Sequence, residues 1–78
     1  MNKIYEIIPD VYVDLSKIFQ VGNIYSETRY ENEFYGDNPY RVDCFDIIID
    51  NAKGINVTIG KNSTTRDDLL KVWKEYNE

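Results

Sequence analysis

The stretch from Tyr40 to Ile59, YRVDCFDIIIDNAKGINVTI, constrains this chain more than any other. It reads as two strands joined by a tight turn. Asp50-Asn51-Ala52-Lys53-Gly54 sets turn formers ahead of a glycine, and Gly54 can take positive φ without a Cβ clash, which suits a type I turn closed by a bulge. Ile55-Asn56-Val57-Thr58-Ile59 then alternates, with three aliphatics on one face and two polar groups on the other. The strand before the turn puts Val42, Cys44 and Ile48 on one face and Phe45, Ile47 and Ile49 on the other. Apolar residues on both faces mark a central strand covered on two sides.

The remaining elements are placed by what they do for that hairpin. Residues 3–8 form a first strand that Pro9-Asp10 ends. Val11, Val13 and Leu15 alternate inward along a second strand. Ser16-Lys17 allows a turn or bulge, and a third strand runs over 18–25, with Gly22 as a bulge or a point of close packing. Residues 26–39 show no sustained period, and Gly36-Asp37-Asn38-Pro39 reads as a turn. That segment is a long functional loop or, alternatively, an extended hairpin.

The spacing of Leu69, Val72, Trp73 and Tyr76 predicts a C-terminal amphipathic helix, its stripe widened by Leu70. Thr64 or Thr65 caps it, with Asp67 or Asp68 completing a box-like pair. Trp73 is expected in the core, where truncation to Ala would cost about 3–5 kcal/mol. Strands first and one helix last give an α+β domain over residues 1–78. Its antiparallel sheet has about four or five strands, with the helix on one face. The other face needs the N-terminal segments, a second copy or another protein.

Size and charge narrow the function. A 78-residue chain is one domain that buries about 60–65 % of its unfolded surface. Shallow or shared sites therefore suit it better than an enclosed catalytic cavity, and the expectation is a protein that is not an enzyme. Net charge is −5. Residues 1–39 hold three positive against seven negative side chains, and residues 40–78 six against seven. Phosphate contacts need Lys and Arg, so direct nucleic-acid binding is not expected. A basic protein surface is the complementary partner, including one that normally holds nucleic acid.

With no histidine and one cysteine, Cys44, there is no Ser/His or Cys/His pair, no zinc set and no intrachain disulfide. Asp43, Asp46 and Asp50 invite a hard-metal reading, but strand parity points Asp43 away from the other two. Gly60-Lys61-Asn62-Ser63-Thr64 superficially suggests a phosphate loop, yet its spacing and Asn62 fail the pattern. A single anion at the helix start with Lys61 and Arg66 competes with an ordinary capped connection. No cofactor or metal is expected. Without a signal-like or membrane-spanning stretch, the reading is a cytoplasmic chain with no membrane partner. Ten isoleucines, eight asparagines and seven tyrosines against one alanine suggest an A·T-rich coding sequence, as in a low-GC bacterium or its phage.

The segment from Tyr25 to Tyr40 is the most informative for function. It interleaves Tyr25, Tyr30, Phe34, Tyr35 and Tyr40 with Glu27, Glu31, Glu33 and Asp37. Tyrosines give contact area at low entropic cost, and carboxylates steer a basic partner. The sequence therefore reads as a small non-catalytic protein-binding module, of the kind by which a phage or mobile element inhibits a host enzyme or defence protein. A homo-oligomer (dimer) through the uncovered sheet face is expected with it. The alternative is a nucleotide-like sponge or sensor at a homo-oligomer interface, which requires Arg29, Arg41 and Lys61 to converge.

Overall fold

The computed structural model describes residues 2–32, 34–50 and 54–78. It is an α+β fold of six strands in two antiparallel sheets with one C-terminal helix. The strands are β1 (Ile4–Ile8), β2 (Val11–Asp14), β3 (Ile18–Val21), β4 (Tyr25–Asn32), β5 (Asp37–Ile49) and β6 (Gly54–Ile59), and the helix is α1 (Thr65–Tyr76).

β1 and β2 form a separate two-stranded ribbon. Pro9-Asp10 turns between them with Asp10 at φ +65°, and the Asp10 N–H donates to Glu6 Oε2 at 3.0 Å. The strand expected over 11–15 stops at Asp14, because Leu15–Lys17 wind into a 3-10 turn capped by Asp14, whose Oδ1 accepts from the Ser16 N–H at 2.9 Å. The turn drops Leu15, 1 % exposed, into the core.

β5 is the spine of the main sheet. β6 pairs along one edge, from Asp43↔Ile59 to Ile48↔Gly54. β3 and β4 lie end to end along the opposite edge, β3 against Ile47–Ile49 and β4 against Asp37–Cys44. The single strand expected over 18–25 therefore breaks between Val21 and Tyr25. Gly22 sits at the break, its N–H donating to Asp46 O at 2.8 Å. A Cβ there would lie 3.2 Å from that same oxygen, so close backbone approach is what selects glycine. Arg66 of α1 holds the break from the other side, with Nε donating to Gly22 O at 2.6 Å and Nη2 to Asn23 Oδ1 at 3.2 Å. Its guanidinium is thus engaged internally rather than offered to an anion.

The segment over 26–39 is a hairpin, not an irregular loop. β4 and β5 hold an unbroken register from Tyr25↔Cys44 to Asn32↔Asp37. The turn lies earlier than the sequence suggests: Gly36 takes φ +67° and donates its N–H to Asn32 O at 2.9 Å, while Asp37 to Pro39 already belong to β5. β6 reaches only as far as Asp43, so Pro39 sits where β5 has one neighbour, the edge setting in which a strand tolerates proline. Beyond Asp43 the hairpin continues as a two-stranded arm. Thirteen residues of strand span about 44 Å, close to the 47 Å long axis of the molecule. The radius of gyration, 14.2 Å, exceeds the roughly 11.5 Å of a compact chain this long.

One core joins the layers. Phe45, Ile47 and Val57 from the sheet meet Ile7, Val13 and Leu15 from the ribbon and 3-10 turn, and Leu69 from α1. The ribbon and helix thus share one side of the sheet, so the N-terminal segments do not cover the second face of β5. The second face has only Val42, Cys44 and Ile48, interrupted by Asp46, and its own polar side chains shield Cys44 completely. Three further readings change. Leu69 is fully buried whereas Trp73 is half-buried, because Leu69 lies at the centre of the docked face. Thr64 precedes α1 without capping a backbone N–H; its hydroxyl is taken by the Asp68 carboxylate at 3.0 Å. Gly54 opens β6 as the ladder partner of Ile48, whose side chain packs where a Cβ would go, at 3.2 Å, so close packing marks this position. The rest of the turn expected over 50–54, residues 51–53, lies outside the described residues.

Candidate functional site

The arm collects the acidic and aromatic residues because β4 and the outer half of β5 have no core to cover. Strand pairing sorts them by face: residues directly opposite share a face, and successive residues alternate. Tyr25, Glu27, Arg29 and Glu31 fall on one face with Tyr40, while Tyr30 and Asp37 fall on the other. Phe34 and Tyr35 cap the tip, 96 % and 79 % exposed. Glu33 lies outside the described residues. An open depression of about 970 Å³ runs along the outer arm, lined by Tyr30, Glu31, Phe34, Asp37 and Tyr40 among others. Enclosed ligand sites bury most of their ligand. This one is an exposed surface.

At the root of the arm, a polar network covers the sheet face that the helix leaves open. Tyr25 donates its hydroxyl to Asp46 Oδ2 at 3.1 Å and accepts from Asn56 Nδ2 at 3.1 Å. Asn56 Nδ2 also donates to Asp46 Oδ1 at 3.0 Å, and its Oδ1 accepts from Arg29 Nη2 at 2.9 Å. Arg29 in turn pairs with Glu27 at 3.3 Å. Beneath lies Cys44, directly opposite Tyr25 and fully buried. The Cys44 thiol below, burial and the Asp46 carboxylate together push the Tyr25 phenol up to about 12. The Tyr25 hydroxyl is thus held by the protein's own polar groups, while the residue stays 42 % exposed.

The three cations of the small-ligand alternative are not brought together. Register puts Arg29 opposite Tyr40 and Arg41 opposite Thr28, on opposite faces of the arm. Arg29 is engaged with Glu27 and Asn56, Arg41 reaches the Thr28 hydroxyl at 3.5 Å, and Lys61 lies beyond β6 on the way to α1. With Glu27 matched by Arg29, Glu31 and Asp37 remain as arm carboxylates without an ion pair among the described residues. The outer arm is therefore more acidic than its root.

Asp46 and Asn56 are the members of this surface that sequence reasoning missed. Asn56 is one of the two polar residues on the outward face of an alternating strand, and its partner becomes visible only once Asp46↔Asn56 pairing is known. Among the described residues no three His, Cys, Asp or Glu side chains cluster to hold a metal ion, and no helix is long and apolar enough to cross a membrane. Comparison with protein-family models, curated proteins and solved structures finds no match.

Proposed function

We propose that this chain is a non-catalytic protein-binding module that presents the tip and outer half of the β4–β5 arm to a basic surface of a partner protein. One observation carries the reading: two large aromatic side chains, Phe34 and Tyr35, stand almost fully in solvent at the end of an arm that stabilises no core. Aromatic anchors of this type supply most of the energy of an interface when a partner desolvates them. Glu31 and Asp37 beside them provide steering charge. An inhibitor that occupies a host enzyme or defence protein, as phages and mobile elements deploy, fits such a projecting acidic arm. The nucleotide-like alternative has less support, because Arg29 and Arg41 face apart.

The test compares wild type with Phe34→Ser/Tyr35→Ser and with Glu31→Lys/Asp37→Lys as baits in lysate of the source cell, at about 0.05 M and 0.3 M salt. A basic protein should be retained by wild type at low salt and weakened at high salt. The tip variant should lose about 30-fold in affinity, matching a hot spot of about 2 kcal/mol. The charge variant should lose the salt dependence. Capture that neither variant alters would overturn the reading.

A further inference from the structure

One hydrogen bond in this sheet joins residues that the strand register holds far apart. Arg29 of β4 lies opposite Tyr40 and Asn56 of β6 lies opposite Asp46, yet Arg29 Nη2 donates to Asn56 Oδ1 at 2.9 Å. The two residues flank β5 on different sides, and their levels differ by the stretch from Tyr40 to Asp46, about 20 Å of strand. On a flat sheet that gap exceeds what an arginine and an asparagine side chain can bridge together. The arm therefore curves over the open face of the sheet. A second observation agrees: Glu27 and Arg29 from the arm and Asp46 and Asn56 from the body line one open depression of about 600 Å³. The curvature falls where the sheet permits it. β6 ends opposite Asp43, and a two-stranded ribbon beyond that point twists more strongly than a wider sheet.

We propose that Arg29 and Asn56 form a latch that fixes the angle between arm and body, and so the direction in which the tip is presented. Among the described residues, Asn56 alone of β6 is hydrogen-bonded to β4, through Arg29 and through the Tyr25 hydroxyl. Its amide suits the task. A guanidinium only donates, so Arg29 meets Oδ1; a carboxylate only accepts, so Asp46 Oδ1 meets Nδ2 at 3.0 Å. Glu27 steadies the arm end of the bridge, accepting from Arg29 Nε at 3.4 Å and from Nη2 at 3.3 Å. Ladder bonds fix the pairing of β4 with β5 but leave the coil of a two-stranded ribbon soft. One bridge across the sheet is enough to select a single curvature. That the direction of the tip matters to a partner rests on the function proposed above; the latch itself is a property of the chain alone.

The test uses the chain without a partner, so its failure would leave the binding reading standing. Spin labels are placed at Tyr35→Cys on the tip and at Lys17→Cys, an exposed position whose carbonyl takes the Asp50 N–H at the far end of β5. Cys44 is fully buried and stays unlabelled in the folded chain. Pulsed electron resonance then reads the distance from tip to body. Arg29→Ala and Asn56→Ala should each broaden its distribution and lengthen it by about 5 Å or more, as part of the curved contour straightens. The double variant should lengthen it no further, since all three lose the same bridge. Arg41→Ala, on the opposite face of the arm, should leave the distance unchanged. In the unmodified chain, a nuclear Overhauser contact between the Arg29 guanidinium and the Asn56 side-chain amide should be seen. A distance that neither Arg29→Ala nor Asn56→Ala moves, one that Arg41→Ala moves as far, or the absence of that contact would each overturn the proposal.

Discussion

Replacing Leu69 with Ala tests how the layers are joined. Leu69 is 0 % exposed and is the one fully buried side chain that α1 contributes among the described residues. It enters the cluster formed by Phe45, Ile47 and Val57 below and Ile7, Val13 and Leu15 beside it. Three lost carbons at about 0.8 kcal/mol each set a transfer loss of about 2.4 kcal/mol. The void adds to this, because the sheet side of the cavity is fixed by ladder hydrogen bonds and collapses little, for a total of about 3–4 kcal/mol. A chain of this length has about 4–12 kcal/mol in all, so the variant is close to unfolding. Trp73, although larger, packs against the cluster from its margin and is half-buried. Its replacement by Ala should cost about 1–2 kcal/mol. Urea melts followed by far-ultraviolet circular dichroism measure both. At about 4–8 °C per kcal/mol, thermal midpoints should fall by about 12–30 °C for Leu69→Ala and by less than about 16 °C for Trp73→Ala. If Trp73→Ala proved the costlier of the two, the placement of the helix argued above would be refuted.

Two further outcomes follow from the junction between arm and body. Arg66→Ala removes charge-assisted donors from Gly22 O and Asn23 Oδ1, and should lower stability by about 1.5–3 kcal/mol, read as a lower urea midpoint at unchanged slope. Arg66→Lys should recover only part of it, since an ammonium cannot reproduce the fork. Tyr25 gives a pH signature. Its folded pKa is raised from 10.0 to about 12, so the native state holds the proton more tightly than the unfolded chain. The contribution to stability is complete below about pH 10 and fades as pH rises toward about 12. The component of phenolate absorbance titrating near pH 12 should vanish in Tyr25→Phe, and with it that part of the alkaline loss of stability.

What could be read from the sequence was what two-residue and 3.6-residue periods encode. The opposed faces of Phe45/Ile47 and Cys44/Ile48 follow from parity alone, and so does the stripe of α1. Period does not say which member of a stripe is central, because that depends on the docking angle; hence Leu69, not Trp73, fills the core. The arm was ambiguous for a related reason. With no core face to bury, residues 26–39 carry no alternation, and only the ladder reveals the hairpin. The network around Asn56 required the exact register of β5 with β6. Arg66 looked like a helix-start cation, yet its partner lies 44 residues away at a strand break that no local rule locates.

That β5 belongs to both arm and body has a consequence in time rather than in space. Its inner half is held by neighbours on two sides and its outer half by one. A two-stranded ribbon is marginal by itself, so opening should begin at the tip and spread inward, halting near Asp43 where β6 joins. Amide exchange should grade along one strand, fast at Tyr40 and slow at Ile47. A partner would therefore meet an arm that samples frayed forms on a microsecond scale. Part of the binding free energy would go into closing it, while the sheet behind stays shut.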